Sequence, residues 1–84
     1  MNEKYMERVN RWRVVRHDDL PEEHKAAYRA EGLDPDDMWS LIWSFESEEA
    51  ALKCLADEEA NAPKWRRWKV VDGGEAVEIE RSVW

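Results

Sequence analysis

Apolar and charged side chains alternate over residues 11–17, where arginines flank Trp12 and separate it from Val14. A repeat of two residues is typical of a strand that packs one face on a core and turns the other to solvent. The pattern therefore predicts that the domain begins with a strand at this position.

A helix is predicted over residues 21–31. Asp18 or Asp19 can serve as its N-cap, and Pro21 suits its first turn. Acidic residues follow at positions 22 and 23, where the positive end of the helix dipole favours them. Gly32 is a natural helix stop, so we expect the element to end there.

Residues 38–46 fit two patterns. Helical spacing relates Met38, Leu41, Ile42 and Phe45, whereas strict alternation relates Trp39, Leu41, Trp43 and Phe45. We favour a strand, because the serines at positions 40 and 44 then share one face and β-forming residues dominate the segment.

The clearest helical pattern covers residues 48–62. Ser47 is placed to cap this helix, acidic residues occupy its first turn, and Pro63 marks its end. Its apolar stripe consists of Ala51, Leu52, Leu55 and Ala56. The stripe is the surface that such a helix packs on a core.

The last part of the chain predicts a β-hairpin around Gly73 and Gly74, since paired glycines favour tight turns. The implied cross-strand pairs are Val71–Ala76, Val70–Val77, Lys69–Glu78, Trp68–Ile79 and Arg67–Glu80. Apolar residues then face apolar ones, and basic residues face acidic ones, which stabilises a sheet. Two pairs fit poorly, namely Asp72 with Glu75 and Arg66 with Arg81.

The element order is β-α-β-α-β-β. It predicts an α/β (α+β two-layer sandwich) fold with a four-stranded mixed sheet, two helices on one face and a C-terminal hairpin. Residues 1–10 are expected to be an N-terminal extension, and residues 11–84 a single two-layer α/β domain.

Composition narrows the class of protein. The 84 residues suffice for one domain, and 43% hydrophobic with 39% charged residues indicates a globular chain. Cys54 is the single cysteine, which fits a reducing, cytoplasmic setting. The N-terminus lacks the apolar core of a secretory signal, and no apolar run has the length of a membrane helix. We expect no membrane association.

The net charge of −7 is unevenly distributed, with basic ends and an acidic middle. Acidic residues on the predicted helices form a candidate surface for binding a basic partner protein. The members chosen for this site are Glu22, Glu23, Glu48, Glu49, Asp57 and Glu58. An ordinary solvated helix surface explains them equally well.

Trp65 and Trp84 are further candidate contacts, because exposed tryptophans commonly anchor interfaces. Packing against Tyr5, Met6 and Val9 is the alternative explanation for both. An open sheet edge near the same end would also allow a homodimer.

Nucleic-acid binding is the second candidate function, with Arg11, Arg13, Arg66 and Arg67 as contacts beside Trp12, Trp65 and Trp68. Against it, two of the tryptophans are expected to face the helices, and Arg67 is expected to pair with a glutamate in the hairpin. The net charge of −7 also opposes phosphate binding.

Catalytic and metal sites find little support. His17, Asp18, Asp19 and His24 match no known ligand spacing, so no metal site is predicted. No nucleophile motif or glycine-rich phosphate loop occurs, and Cys54 fits a buried structural thiol. We predict neither catalytic residues nor a cofactor.

The segments "WSFESEEAALKCL" and "WRRWKVVDGGEAVEIERSVW" resemble small, uncharacterised accessory proteins of actinobacterial phages. The resemblance covers the second half of the chain and carries over no functional residue. It implies a protein made in the host cytosol that binds a host protein and modulates it. A structural homo-oligomer is the remaining alternative.

Overall fold

The computed structural model describes residues 3–83, which form five strands and two α-helices. The strands are β1 (Glu3–Val9), β2 (Trp12–Asp18), β3 (Ser40–Phe45), β4 (Arg66–Asp72) and β5 (Val77–Val83); the helices are α1 (Glu22–Ala30) and α2 (Glu48–Asn61). A short 3-10 turn, Pro35–Asp37, lies between α1 and β3. The α+β class and both helices are confirmed.

Three strands form an antiparallel sheet in the order β3-β2-β4, with α2 packed on one face. Val14 in the central strand and Ala51 in α2 are fully buried, and Trp68 of β4 completes this core. Trp12 packs at its margin, so the expectation that Trp12 and Trp68 face a helix is confirmed.

A β-bulge in β3 changes which residues reach the core. Val14 pairs with Trp43 but Val15 pairs with Leu41, which leaves Ile42 as the extra residue. Ile42 and Phe45 therefore both pack against the core, while Trp43 is 49% exposed. The strand is confirmed, but the strict alternation predicted for it is wrong.

The first helix packs away from the core. It contains no buried residue and contacts the Pro35–Asp37 turn. Lys25 of α1 forms one ion pair with Asp36 of the turn, at 3.2 Å, and another with Asp19, just after β2, at 2.8 Å. Pro35 in turn touches His17, on the sheet face opposite α2. The prediction of two helices on one face is therefore wrong.

The capping predictions have mixed outcomes. The Ser47 hydroxyl accepts from the Ala50 N–H at 3.2 Å and caps α2 as predicted, and Gly32 ends α1 with φ of 82°. Pro21 occupies the N-cap position of α1 and has no side-chain acceptor, so the prediction that Asp18 or Asp19 caps this helix is wrong. Both aspartates form ion pairs instead. In α2, Ala51 and Leu55 pack inward as predicted, but Leu52 is 47% exposed.

The remaining two strands, β1 and β5, form a separate antiparallel ribbon. Their pairing extends from Glu3 opposite Val83 to Val9 opposite Val77, so part of the predicted N-terminal extension is a regular strand. The radius of gyration is 15.0 Å, against about 12 Å for a compact chain of this length. The ribbon thus projects from the body formed by the three-stranded sheet and its helices.

The four-stranded mixed sheet and the C-terminal hairpin are therefore wrong, since β4 pairs with β2 and β5 pairs with β1. The observed pairing gives better charge contacts than the hairpin would. Three of the four residues that fitted the hairpin poorly gain an opposite charge: Arg66 binds Asp18, Arg81 binds Glu7, and Asp72 binds Arg11.

Candidate interaction surfaces

A buried histidine organises the sheet face opposite α2. His17 is 2% exposed, and its Nε2 lies 2.8 Å from the carbonyl of Pro35. Because a carbonyl can only accept, Nε2 carries the proton, and Nδ1 accepts from Arg67 Nη2 at 3.3 Å. The imidazole therefore links the Pro35–Asp37 turn to β4.

Two cations lie against the Trp39 ring beside this histidine. Lys69 Nζ is 4.1 Å and Arg67 Cζ is 5.5 Å from the ring centroid, while the His17 ring is tilted at 5.4 Å. These distances are typical of cation–π contacts. In the observed register Arg67 is opposite His17 and Lys69 is opposite Val15, so the glutamate partners expected from a hairpin are wrong.

A groove of about 370 Å³ adjoins this cluster where α2 ends and β4 begins. Its lining residues are Trp39, Glu59, Ala62, Pro63, Lys64, Arg66, Arg67 and Trp68. Three cations accompany one acid, and two tryptophans with a proline supply apolar surface. The Trp68 indole N–H is buried without a partner among the described residues.

The open edge of β4 lies beside the groove, since β4 pairs only with β2 within the part of the chain that is described. Asp19 N–H donates to the Trp65 carbonyl, and Gly73 N–H donates to the Arg11 carbonyl, each at 2.8 Å. Odd-numbered residues of β4 thus bond to β2. Along an antiparallel strand, the N–H and C=O groups of successive residues point to opposite sides of the strand. The N–H and C=O groups of Trp68 and Val70 therefore point away from β2, toward the open edge. We call the groove and this edge together the β4 groove.

Trp65, a candidate contact from the sequence, stands at the entrance to β4 and is 51% exposed. The Arg66 guanidinium lies 4.9 Å from its ring centroid and also forms two hydrogen bonds to Asp18, at 2.7 and 3.3 Å. This pairing lowers the pKa of Asp18 and raises that of Arg66. Trp84, the other predicted tryptophan contact, lies outside the described residues.

Most of the arginines predicted as contacts already form ion pairs or backbone hydrogen bonds within the chain. Arg11 pairs with Asp72 at 2.8 Å, and Arg13 donates to the Asn10 carbonyl at 3.1 Å while packing against Gly73. The hydrogen bonds from Arg11 and from the Gly74 N–H lower the pKa of Asp72 from 3.8 to about 2. With Arg66 bound to Asp18, Arg13 and Arg67 are the predicted arginines without an acidic partner in the described part of the chain. Arg13 is held by the backbone carbonyls of Asn10 and Glu75, whereas Arg67 donates to His17.

The predicted acidic residues do not form one layer. Glu22 and Glu23 are on α1, where Glu22 pairs with Arg29 at 2.7 Å. The other four, Glu48, Glu49, Asp57 and Glu58, are on α2. Since α2 covers the sheet and α1 attaches to the turn on the opposite side, the two groups lie on different parts of the molecule.

The remaining reactive side chains considered from the sequence are Cys54 and the possible metal ligands. Burial, followed by the charges of Glu58 and Asp57, raises the pKa of Cys54, which disfavours the thiolate. Within residues 3–83, no group of three His, Cys, Asp or Glu is close enough to hold a metal ion. Neither helix in this range has the length and apolar character needed to cross a membrane.

Reasoning from the sequence did not identify four features of this surface. They are the Trp39 ring with the side chains around it, Lys64, Lys69 and the open edge of β4. The available signal was Trp39 at the start of an alternating segment, but its position over β4 depends on which strands pair. Compared with known proteins, the chain matches no family model, no curated protein and no solved structure.

Proposed function

We propose that this chain is a non-enzymatic protein-binding domain that takes an extended, acidic segment of a partner protein into the β4 groove. The observation that carries the proposal is the unpaired edge of β4 beside a groove with aromatic walls and cationic residues. If the phage resemblance holds, the partner is a host protein, and occupation of its segment is the means of modulation.

The backbone supplies the first part of the argument. An extended segment beside β4 would bond to the outward N–H and C=O groups of Trp68 and Val70, as peptides do when they add a strand to a sheet edge. These bonds are independent of sequence and provide affinity. Specificity then depends on the side chains around the groove.

Charge supplies the second part. Lys64, Arg67 and Lys69 are exposed near the groove, and none of them has an acidic partner among the described ion pairs. A segment with glutamates or aspartates at alternate positions complements them. Its intervening apolar side chains would contact Pro63 and the tryptophans. The partner surface expected here is therefore acidic, rather than the basic surface suggested by the acidic helices.

A synthetic peptide tests this function directly. The probe is a fluorescein-labelled peptide of alternating glutamate and valine, with a matching lysine–valine peptide as the charge control. Arg67→Glu/Lys69→Glu should weaken binding of the acidic peptide by at least about tenfold, since it replaces two attractions with repulsions. Fluorescence anisotropy measures the dissociation constants.

The matched control is Arg8→Glu/Lys53→Glu, which changes the net charge equally but reverses exposed cations away from the groove. It should retain most of the affinity. Equal weakening by the two double variants, or equal binding of the acidic and basic peptides, would refute a groove-specific site. In nuclear magnetic resonance spectra, the backbone amide chemical-shift changes caused by adding the acidic peptide should be largest at Trp68 and Val70.

Nucleic-acid binding is the second candidate, favoured by the location of Arg67 and Lys69 on the Trp39 ring without acidic partners. A single-stranded oligonucleotide would then compete with the acidic peptide, and its affinity would fall steeply with salt. The net charge of −7 disfavours this function relative to peptide binding. Oligonucleotide binding without peptide binding would reverse the order of the two candidates.

A further inference from the structure

The β1–β5 ribbon has one apolar and one polar face. Directly opposed residues project to the same side, so the register places Tyr5, Val9, Val77 and Ile79 on one face. We call these four residues the apolar ribbon face. Tyr5 is 47% and Val77 is 45% exposed, whereas Val9, near the body, is 3% exposed. The opposite face carries mainly charged residues and Met6.

Such a ribbon lacks the packing that normally stabilises a sheet. An isolated pair of strands is only marginally stable in water, and a third strand or a packed layer is usually required. In the described residues β1 and β5 contact each other extensively, but neither makes comparable contacts with α1, α2 or the central sheet. The outer part of the apolar ribbon face is consequently uncovered.

We propose that the apolar ribbon face packs on the same face of a second copy, forming a two-fold symmetric dimer. A second copy is favoured by the charge distribution. The chain carries −7, yet β1 has two cations against two glutamates and β5 has one arginine against two glutamates, leaving only −1 on the ribbon. Contact through the projecting ribbons keeps the acidic bodies of the two copies apart.

Two of the three charged residues on the side of the apolar ribbon face are paired within each copy. Glu7 and Arg81 lie on this side and form an ion pair with one another. Glu3 lies at the outer end of the same side, so the face carries a net charge of only −1 and gives a strongly charged partner little to bind. Its exposed large apolar side chains are Tyr5 and Val77, and an interface between identical subunits would bring these onto the same patch of the second copy.

Pairing through strand edges is disfavoured. A two-fold register centred on Met6 would place Lys4 opposite Arg8, and one centred on Tyr5 would place Glu3 opposite Glu7. For β5, a register centred on Ile79 would place Glu78 opposite Glu80. Like charges directly opposite one another destabilise a sheet. The dimer thus uses faces and not edges.

Sedimentation equilibrium from micromolar to sub-millimolar concentrations tests the dimer. The wild-type chain should approach twice its 10.0 kDa mass. Tyr5→Ser/Val77→Ser should raise the dimer dissociation constant at least about tenfold, because both side chains lose buried apolar area. Met6→Ser is the control, since Met6 is 60% exposed but lies on the opposite face.

A wild-type chain that remains monomeric, or a Tyr5→Ser/Val77→Ser variant that associates as tightly as wild type, would overturn the proposal. Dissociation by Met6→Ser to the same extent would also overturn the assigned face. Hydrogen exchange on the wild type gives a readout that needs no variant: amides of β1 and β5 should become more protected as concentration rises, while those of β2 should not. Peptide binding at the β4 groove is a separate measurement, so either proposal can fail alone.

Discussion

His17 is the residue with the highest expected effect on stability outside the apolar core. It is 2% exposed, and both ring nitrogens are bonded, to Pro35 and to Arg67. We predict that His17→Ala lowers the free energy of unfolding by about 2–4 kcal/mol, since it leaves a cavity and an unpaired carbonyl. Urea denaturation followed by circular dichroism measures the loss.

His24→Ala is the control for His17→Ala, because His24 is exposed on α1. Its effect should stay within about 0.5 kcal/mol. Equal stability of the two variants would contradict the structural role assigned to His17.

The lowered pKa of Asp72 predicts that the free energy of unfolding depends on pH. Its pKa is lowered from 3.8 to about 2 by hydrogen bonds from Arg11 and Gly74. A folded-state pKa below the unfolded value gives stabilisation that is complete above the unfolded pKa and is lost as pH falls through the folded pKa. We therefore expect Asp72→Asn to be less stable than wild type at neutral pH and to lose less stability between pH 4 and 2.

Thermal melts at several pH values measure this dependence, with Asp37→Asn as a control on the exposed 3-10 turn. A wild-type stability that is unchanged over the same pH range would contradict the assigned ion pair with Arg11. The pair is solvent-exposed, so added salt should reduce the difference between Asp72→Asn and wild type.

At the scale of elements, a substitution at Ser47 tests whether the N-terminal cap stabilises α2. The Ser47 hydroxyl accepts from the Ala50 N–H at 3.2 Å. Ser47→Ala should lower the free energy of unfolding by about 1 kcal/mol, whereas Ser47→Asp should preserve it, because both serine and aspartate are effective N-caps. Equal stability of Ser47→Ala and wild type in urea denaturation would show that α2 does not depend on this cap.

The helices could be predicted from sequence because their signals are local. Ser47, the adjacent glutamates and Pro63 bound α2, and Gly32 bounds α1. The same local reasoning failed for the sheet. Gly73 and Gly74 do form a bend, but the partner of β5 is decided by β1 at the other end of the chain.

The candidate site could be predicted only in part, for the same reason. Arg66 and Arg67, both candidate contacts from the sequence, line the groove, and the candidate Trp65 is exposed beside it. The bulge at Ile42 and the position of Trp39 over Arg67 and Lys69 were not predicted, since both depend on strand register. The register between two strands decides which residues face each other, and it cannot be deduced from the pattern of residues along one strand.

At the scale of the whole molecule, the ribbon and the body should be separable. The buried core residues Val14, Ala51 and Trp68 all belong to the body, as does buried His17. We predict that a chain of residues 10–76 folds, with a cooperative thermal transition and a Trp near-ultraviolet signal like that of the full chain. The physical reason is that removing the ribbon uncovers little of this core.

The truncated chain also separates the two proposed interactions. It should bind the glutamate–valine peptide with nearly unchanged affinity, because every lining residue of the β4 groove is retained. It should remain monomeric at concentrations where the full chain dimerises, because the apolar ribbon face is gone. A truncated chain that fails to fold would show that the strand pairing at the chain ends stabilises the body as well, through the buried Val9 at the base of the ribbon.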